Sequence, residues 1–275
     1  MPELPEVETI RNALRNGGRG GESLVGRRVE YSHLLWERTL AEPEPEEFKR
    51  RILGKKVSDV GRRGKFLLLE FPGETLLIHL RMSGDLIVEK QSDPVAPHHR
   101  LMLDFDNGLR LAFNDTRKFG RVWLVSDPSI VLGDLGPEPL AEDLTPQEFH
   151  HKLQAHRRQI KPLLLDQRFI AGLGNIYTDE ALHLAKIHPL AISNSLDAAQ
   201  SKRLWSSIRR VLKEGIERQG ASIDWVYRGG DFQNYFRVYQ RTGDPCPSCG
   251  SPIQRILVGQ RGTHYCENCQ TPPEH

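Results

Sequence analysis

Cysteine is missing from the first 245 residues of this 275-residue chain. That gap excludes a small disulfide-stapled scaffold, whose cysteines run through the whole fold. Long apolar runs are also missing, and none approaches the ~18 residues that a membrane span needs. The chain start lacks a basic stretch followed by an apolar core, so a signal peptide is not expected and the chain reads as cytoplasmic. No heptad pattern is present, which leaves a monomer as the default. A length of 275 residues fits about two domains.

A strong overall charge is lacking too, but the formal net charge of +2 hides an uneven distribution. Residues 1–149 carry 21 basic and 25 acidic side chains, whereas residues 150–219 carry 12 and 6. The middle of the chain is therefore the basic part, which suits a phosphate polyanion or, equally, a solvated helical face.

The four cysteines that do occur are Cys246, Cys249, Cys266 and Cys269. Two C-x2-C pairs separated by sixteen residues supply four thiolates for a tetrahedral Zn²⁺. Two disulfides would need an oxidising compartment. A complete thiolate set leaves no open coordination position, so the metal is expected to hold a fold rather than to catalyse. Iron in the same sulfurs is chemically allowed, and zinc is the first choice.

The first eight residues, Met1-Pro2-Glu3-Leu4-Pro5-Glu6-Val7-Glu8, carry the sharpest signal. With Met1 removed, Pro2 becomes a secondary amine with carboxylates close behind it. An α-amino group has a pKa of ~8 against ~10.4 for lysine, so at neutral pH it is unprotonated roughly a hundred times more often. Such an amine attacks electrophilic carbon, and a secondary amine yields an iminium that stays cationic. The plain alternative is a proline-stiffened helix start. Leu4, Val7, Ile10 and Leu14 recur at helical spacing, and Glu3, Glu6 and Glu8 suit a helix N-terminus.

Residues 25–125 read as β structure, with short apolar runs around Pro72-Gly73 and a hairpin at Asn107-Gly108, where both turn residues tolerate positive φ. Several strands at close spacing predict a sandwich. Leu135–Leu140 reads as a linker, and Thr145-Pro146-Gln147-Glu148 as a helix-starting capping box. Ala171–Tyr177 is a glycine-rich turn opening a helix, either a phosphate cradle or a plain helix corner. Its spacing is not that of a dinucleotide-binding loop. Arg157, Arg158 and Lys161 nearby favour the phosphate reading. Leu204, Ile208, Val211, Leu212 and Ile216 form a core-facing helical stripe.

Taken together, Pro2–Glu8, Arg62–Leu68, His79–Gly84, Asp115–Gly120, Leu135–Leu140, Ile160–Leu165, Gly172–Tyr177 and Arg261–Cys266 resemble the formamidopyrimidine-DNA glycosylase family, which shares its fold with endonuclease VIII. The resemblance covers essentially the whole chain. It implies an α+β multidomain protein: an N-terminal β-sandwich with a flanking helix, then a helix-two-turn-helix domain with a zinc-finger hairpin. The corresponding boundaries are residues 1–130, a linker at 131–144, then 145–235 and 236–275. It also implies a base-excision-repair enzyme without an organic cofactor, bound to double-stranded DNA that contains oxidised or abasic sites, on the nucleoid. Such an enzyme releases an oxidised base through a Schiff base and then nicks the strand by β,δ-elimination.

Carried over by position, the resemblance makes Pro2 the nucleophile, Glu3 the acid that opens the sugar ring, and Glu6 a supporting carboxylate. It makes Lys65 a phosphate contact that assists proton transfer. Asn175 and Arg261 match phosphate-gripping groups, and Arg261 also matches a role in the last elimination. Met82, Arg117 and Phe119 match three side chains that fill the hole left by a flipped base. His79, His98 and Arg157 match DNA contacts. The Pro2–Glu6 run and the Met/Arg/Phe trio favour oxidised purines, 8-oxoguanine and formamidopyrimidines, over the oxidised pyrimidines of the endonuclease VIII branch. A zinc-containing DNA-binding protein without catalysis is a third reading, which intact Pro2, Glu3 and Lys65 oppose. Two departures stand out: Ser222–Asp231, where a lesion-capping loop is expected, looks short, and Arg100 replaces a common second histidine after His98.

Overall fold

Alternation of apolar residues along the strands, and their helical spacing in α1 (Leu4–Asn16), place one core inside the first of two compact units. The computed structural model describes residues 1–222 and 229–272. The units comprise Met1–Gly133 with Gln219–Gly230, and Asp134–Arg218 with Asp231–His275.

In the first unit α1 is followed by β1 (Val29–Leu34), β2 (Leu40–Glu42), α2 (Pro45–Ile52), β3 (Asp59–Arg63), β4 (Phe66–Phe71), β5 (Glu74–His79), β6 (Gly84–Lys90), β7 (His99–Phe105), β8 (Leu109–Asp115), β9 (Arg121–Val125) and a single turn, α3 (Ser129–Leu132). The strands form a four-stranded sheet in the order β1-β7-β8-β6 and a five-stranded sheet in the order β2-β9-β5-β4-β3. In β4 every second residue is buried, so Leu67, Leu69 and Phe71 point inward. They join Leu76 and Ile78 of β5, Val122 and Leu124 of β9, and Leu101, Leu103, Leu111 and Phe113 of the other sheet in one cluster. Val7, Ile10 and Leu14 of α1 enter the same cluster, as their sequence spacing predicts. Each such side chain contributes about 1.5–3 kcal/mol by leaving water. The sandwich with a flanking helix follows from these patterns.

The hairpin at Asn107-Gly108 forms, but with a three-residue turn from Asp106 to Gly108, in which only Gly108 has positive φ (76°). That is the geometry of a type I turn closed by a left-handed glycine, rather than a two-residue primed turn.

The second unit contains α4 (Pro146–Gln154), α5 (Ile160–Leu165), α6 (Asn175–Ala185), α7 (Ala198–Glu217) and the hairpin β10 (Gln254–Val258) with β11 (Arg261–Tyr265). The capping box at α4 is made: Thr145 Oγ1 accepts the Glu148 N–H at 3.2 Å, and Glu148 Oε2 accepts the Thr145 N–H at 3.1 Å. Asp197 and Gln200 repeat the device at α7. Leu204, Ile208, Val211 and Leu212 of α7 are buried, whereas Ile216 lies outside the buried set. Among the described residues no helix is long and apolar enough to cross a membrane.

Candidate functional site

Residues at the start of α1 are built around carboxylates rather than merely stiffened by proline. Pro2, Glu3 and Glu6 are all buried. Glu6 Oε2 accepts the Glu3 N–H at 2.8 Å, and its other oxygen accepts the Ala221 N–H at 2.8 Å. The second contact depends on Gly220, whose φ is +82°. A Cβ there would lie 2.7 Å from Glu6 Oε1, so only glycine lets the backbone come this close. Glu6 is thereby fixed from two directions.

Lys65 sits in the β3–β4 turn, where Gly64 has φ 55°, and is buried. Arg62 ties this turn to α1: its Nε donates to Glu8 Oε2 at 2.7 Å and its Nη1 to the Gly64 carbonyl at 2.9 Å. The arrangement holds a lysine chain against the sandwich instead of leaving it in solvent.

His79, the last residue of β5, is buried, and its Nδ1 accepts the Arg81 N–H at 3.0 Å. That bond places the ring proton on Nε2. Burial, with the positive charges of Arg81 and Lys65 adding to it, pushes the imidazole down to about 3, so His79 is a neutral N–H donor at physiological pH. The unfolded chain binds this proton near pH 6.5, whereas the folded chain refuses it until about pH 3. Stability tied to His79 is therefore complete above pH ~6.5 and is lost as pH falls through this window, at about 1.4 kcal/mol per pH unit. Urea unfolding at pH 6.5, 5 and 4 should show a shallower pH dependence for His79→Gln than for the native chain. Equal slopes would exclude a neutral buried ring.

Met82 and Phe119 are exposed, 41% and 48%, on turns beside the sheets. Arg117 is exposed as well, with its guanidinium carbon 5.0 Å from the Phe119 ring centroid. His98 is exposed on the turn before β7. Arg100, the residue that departs from the family pattern, is buried and holds that turn. Its Nη1 donates to the Pro97 carbonyl at 3.2 Å, and its Nη2 lies 3.3 Å from His98 Nδ1.

In the second unit Asn175 opens α6, with Gly174 as N-cap and Gly172 at φ 92°. Its Nδ2 donates to the Gly262 carbonyl at 3.0 Å, which brings it beside exposed Arg261 at the start of β11. Lys161 grips the same carbonyl at 3.1 Å and also bonds Thr263 Oγ1 at 2.7 Å and Asp179 Oδ1 at 2.6 Å. Asp179 Oδ2 accepts the His264 N–H at 2.9 Å. Lys161 is thus fully buried and structural, and the support it lends to a phosphate cradle at the turn falls away. Arg158 pairs with Asp166 at 2.9 Å, and Arg157, the arginine expected to meet DNA, is exposed.

The four cysteine sulfurs lie within 4.8 Å of one another and make no disulfide. Cys246 and Cys269 sulfurs are 3.9 Å apart, and those of Cys249 and Cys266 are 3.5 Å apart. A tetrahedron with Zn–S bonds of ~2.3 Å has sulfur–sulfur edges of ~3.8 Å. Burial and the three neighbouring sulfurs push the Cys269 thiol up to about 12, so four thiolates coexist only around a cation. The set fits one structural Zn²⁺. His183 Nε2 lies 3.3 Å from Cys246 Sγ and orients that ligand.

Ser83, Asp115, Asp179 and Ala221, none of them singled out by sequence reasoning, hold the predicted residues in place. Of these, Ser83 and Asp115 lay inside the motifs His79–Gly84 and Asp115–Gly120, which was the available signal. The expectation of a short lesion-capping loop falls mainly on residues 223–228, outside the described residues.

Three family models match the chain. They are the formamidopyrimidine-DNA glycosylase N-terminal domain over residues 1–122, the H2TH domain of the same glycosylases over 135–226, and a zinc finger found in FPG and IleRS over 243–272. A formamidopyrimidine-DNA glycosylase of Chloroflexus aurantiacus is 48% identical, with 98% of each chain covered. Two solved structures superpose with a TM-score of 0.91 over 98% of this chain and all of theirs. One is MutM in complex with DNA containing carbocyclic 8-oxo-G, 38% identical, and the other the Lactococcus lactis Fpg with DNA containing an abasic site, 37% identical. The chain belongs to the formamidopyrimidine-DNA glycosylase family.

Proposed function

We propose that this protein excises oxidised purines, 8-oxoguanine and formamidopyrimidines, from double-stranded DNA and then cleaves the resulting abasic strand. The carrying observation is the buried Pro2-Glu3 start of α1, with Glu6 locked by the Glu3 and Ala221 amides, in a chain 48% identical to a named relative of that activity. The basic middle of the chain agrees with a DNA partner. The reading places the protein in the cytoplasm, on the nucleoid, as a monomer.

In this reading the Pro2 amine, freed by loss of Met1, attacks C1′ of the damaged nucleotide, and the base leaves as the C1′–N bond breaks. Glu3 supplies the proton that opens the deoxyribose ring and leaves an iminium between Pro2 and C1′. Loss of the C2′ proton then expels the 3′ phosphate, and a second elimination expels the 5′ phosphate. Lys65 and neutral His79 face phosphate oxygens, and Lys65 assists proton transfer. Asn175 and Arg261 hold phosphates beside the lesion. A base inside a duplex is out of reach, so it is flipped out, at a cost of a few kcal/mol. Met82, Arg117 and Phe119 occupy the space it leaves: flexible Met enters the stack, Arg bonds the widowed cytosine, and Phe wedges the opposite strand.

Cys246, Cys249, Cys266 and Cys269 would hold a zinc ion, which would brace the β10–β11 hairpin and supply no catalytic chemistry.

The test is borohydride trapping on a panel of duplexes. An 8-oxoguanine·cytosine duplex should give a covalent adduct at least tenfold faster than a thymine-glycol duplex. The reverse order would move the substrate to oxidised pyrimidines. Tight binding to abasic DNA with no cleavage of any duplex would reduce the protein to a binding module.

A further inference from the structure

Three turns of the first unit carry side chains assigned to DNA contact, and all three meet at one buried residue, Asp115. Asp115, the last residue of β8, is fully buried. Its Oδ1 accepts the Ser83 hydroxyl, from the turn that presents Met82, and the Arg117 N–H at 3.2 Å. Ser83 Oγ accepts the same Arg117 N–H at 3.1 Å. Asp115 Oδ2 accepts the Gly120 N–H at 2.7 Å, which closes the Arg117–Phe119 turn. The Asp115 backbone holds the third turn: its N–H donates to the His98 carbonyl at 2.9 Å, and its carbonyl accepts Arg100 Nε at 2.7 Å.

An apolar floor lies under this polar keystone. A Cβ at Gly120 would lie 2.2 Å from Phe113 Cζ, and one at Gly84 would lie 2.7 Å from Phe113 Cε2. Both turns therefore stand on one ring with no room to slide. Arg81 and Lys118, with φ 55° and 61°, sit in left-handed conformations that the surrounding bonds over-determine.

We propose that Asp115, Ser83 and Arg100 are positioning residues that lock the Met82, His98 and Arg117–Phe119 turns into one rigid probe, inserted into the duplex as a unit. The proposal rests on the assignment of Met82, Arg117 and Phe119 as void fillers. A locked probe pays its ordering entropy during folding, so none is lost at the moment a base is extruded. Ser83 supplies the link between the Met82 turn and the Arg117 turn. Arg100 is the link of this chain to the His98 turn.

The experiment compares two single-turnover reactions of the zinc-loaded chain: excision from an 8-oxoguanine·cytosine duplex, and cleavage of a preformed abasic site in the same duplex. A 2-aminopurine beside the lesion reports insertion. An abasic residue has no base to extrude, so its cleavage depends less on the probe. Ser83→Ala should slow excision and the fluorescence rise at least tenfold while abasic cleavage changes less than threefold. Ser83→Thr, which keeps the hydroxyl, should restore both. Asp115→Asn should act in the same direction and more strongly, because an amide NH₂ must face either the Gly120 or the Arg117 N–H. Where Asp115→Asn fails to fold, Ser83→Ala, checked by thermal unfolding, still decides. Folded Ser83→Ala with native excision, or with equal slowing on both substrates, overturns the proposal. A native chain that inserts by fluorescence yet forms no trapped adduct overturns the Pro2 assignment instead and leaves the locked probe standing.

Discussion

A chain forced to keep Met1 is expected to yield no borohydride-trapped adduct and no strand cleavage, while still binding abasic DNA. An N-terminal extension that blocks methionine removal produces this state. The Pro2 nitrogen is then a tertiary amide, whose lone pair is delocalised into the carbonyl, and it cannot attack carbon. The loss should exceed about 10³-fold, or about 4 kcal/mol of barrier. Pro2→Gly is the milder variant. It offers a primary amine on a more flexible chain, and its imine carries positive charge only when protonated. Excision should fall by about 10²–10³-fold, with abasic cleavage less affected, because the preformed aldehyde is the easier electrophile. Circular dichroism should be unchanged in both, since Leu4, Val7, Ile10 and Leu14 still anchor α1. An adduct of native yield on the extended chain would place the nucleophile elsewhere.

Metal removal is the second large effect. Strong chelation, or Cys249→Ser, should abolish DNA cleavage by at least about 100-fold, with recovery when zinc is returned to the chelated native chain. Structural zinc supplies roughly 10–16 kcal/mol of apparent folding energy in isolated fingers. The hairpin has little else: its own core is Val238, Ile253, Cys246 and Cys266, with Cys269 packed against it. When the hairpin loosens, Arg261 loses its place and the Gly262 carbonyl leaves Asn175 and Lys161. Lys161, completely buried, is then left with fewer partners for its charge, which adds to the cost. Metal release, followed with a chromogenic thiol reagent, should track loss of cleavage. Metal-free protein that cuts DNA at the native rate would dismiss the zinc as irrelevant.

Local patterns carried much of the fold into view. The stripe at Leu4, Val7, Ile10 and Leu14, the box at Thr145 and Glu148, and the spacing of the four cysteines each express short-range physics, so each was readable from neighbours in the chain. The candidate residues were visible for the same reason, as short motifs. What escaped reading depends on register and chain return. Nothing near Ser83 in sequence announces Asp115, because they meet only through the pairing of Gly84 with Asp115 across β6 and β8. Lys161 looked like a surface cation because its partners, Asp179 and Thr263, are distant in sequence. Glu6 gave no hint of Ala221, 215 residues away.

The hairpin that bears Arg261 is held by α5 and α6 through a main-chain oxygen, that of Gly262. A carbonyl belongs to every amino acid, so no replacement at position 262 can delete this acceptor. Vulnerability at this oxygen is thereby one-sided: the contact can be deleted by altering Asn175 or Lys161, whereas on the hairpin side a coding change removes only the neighbouring bond that Lys161 makes to Thr263 Oγ1.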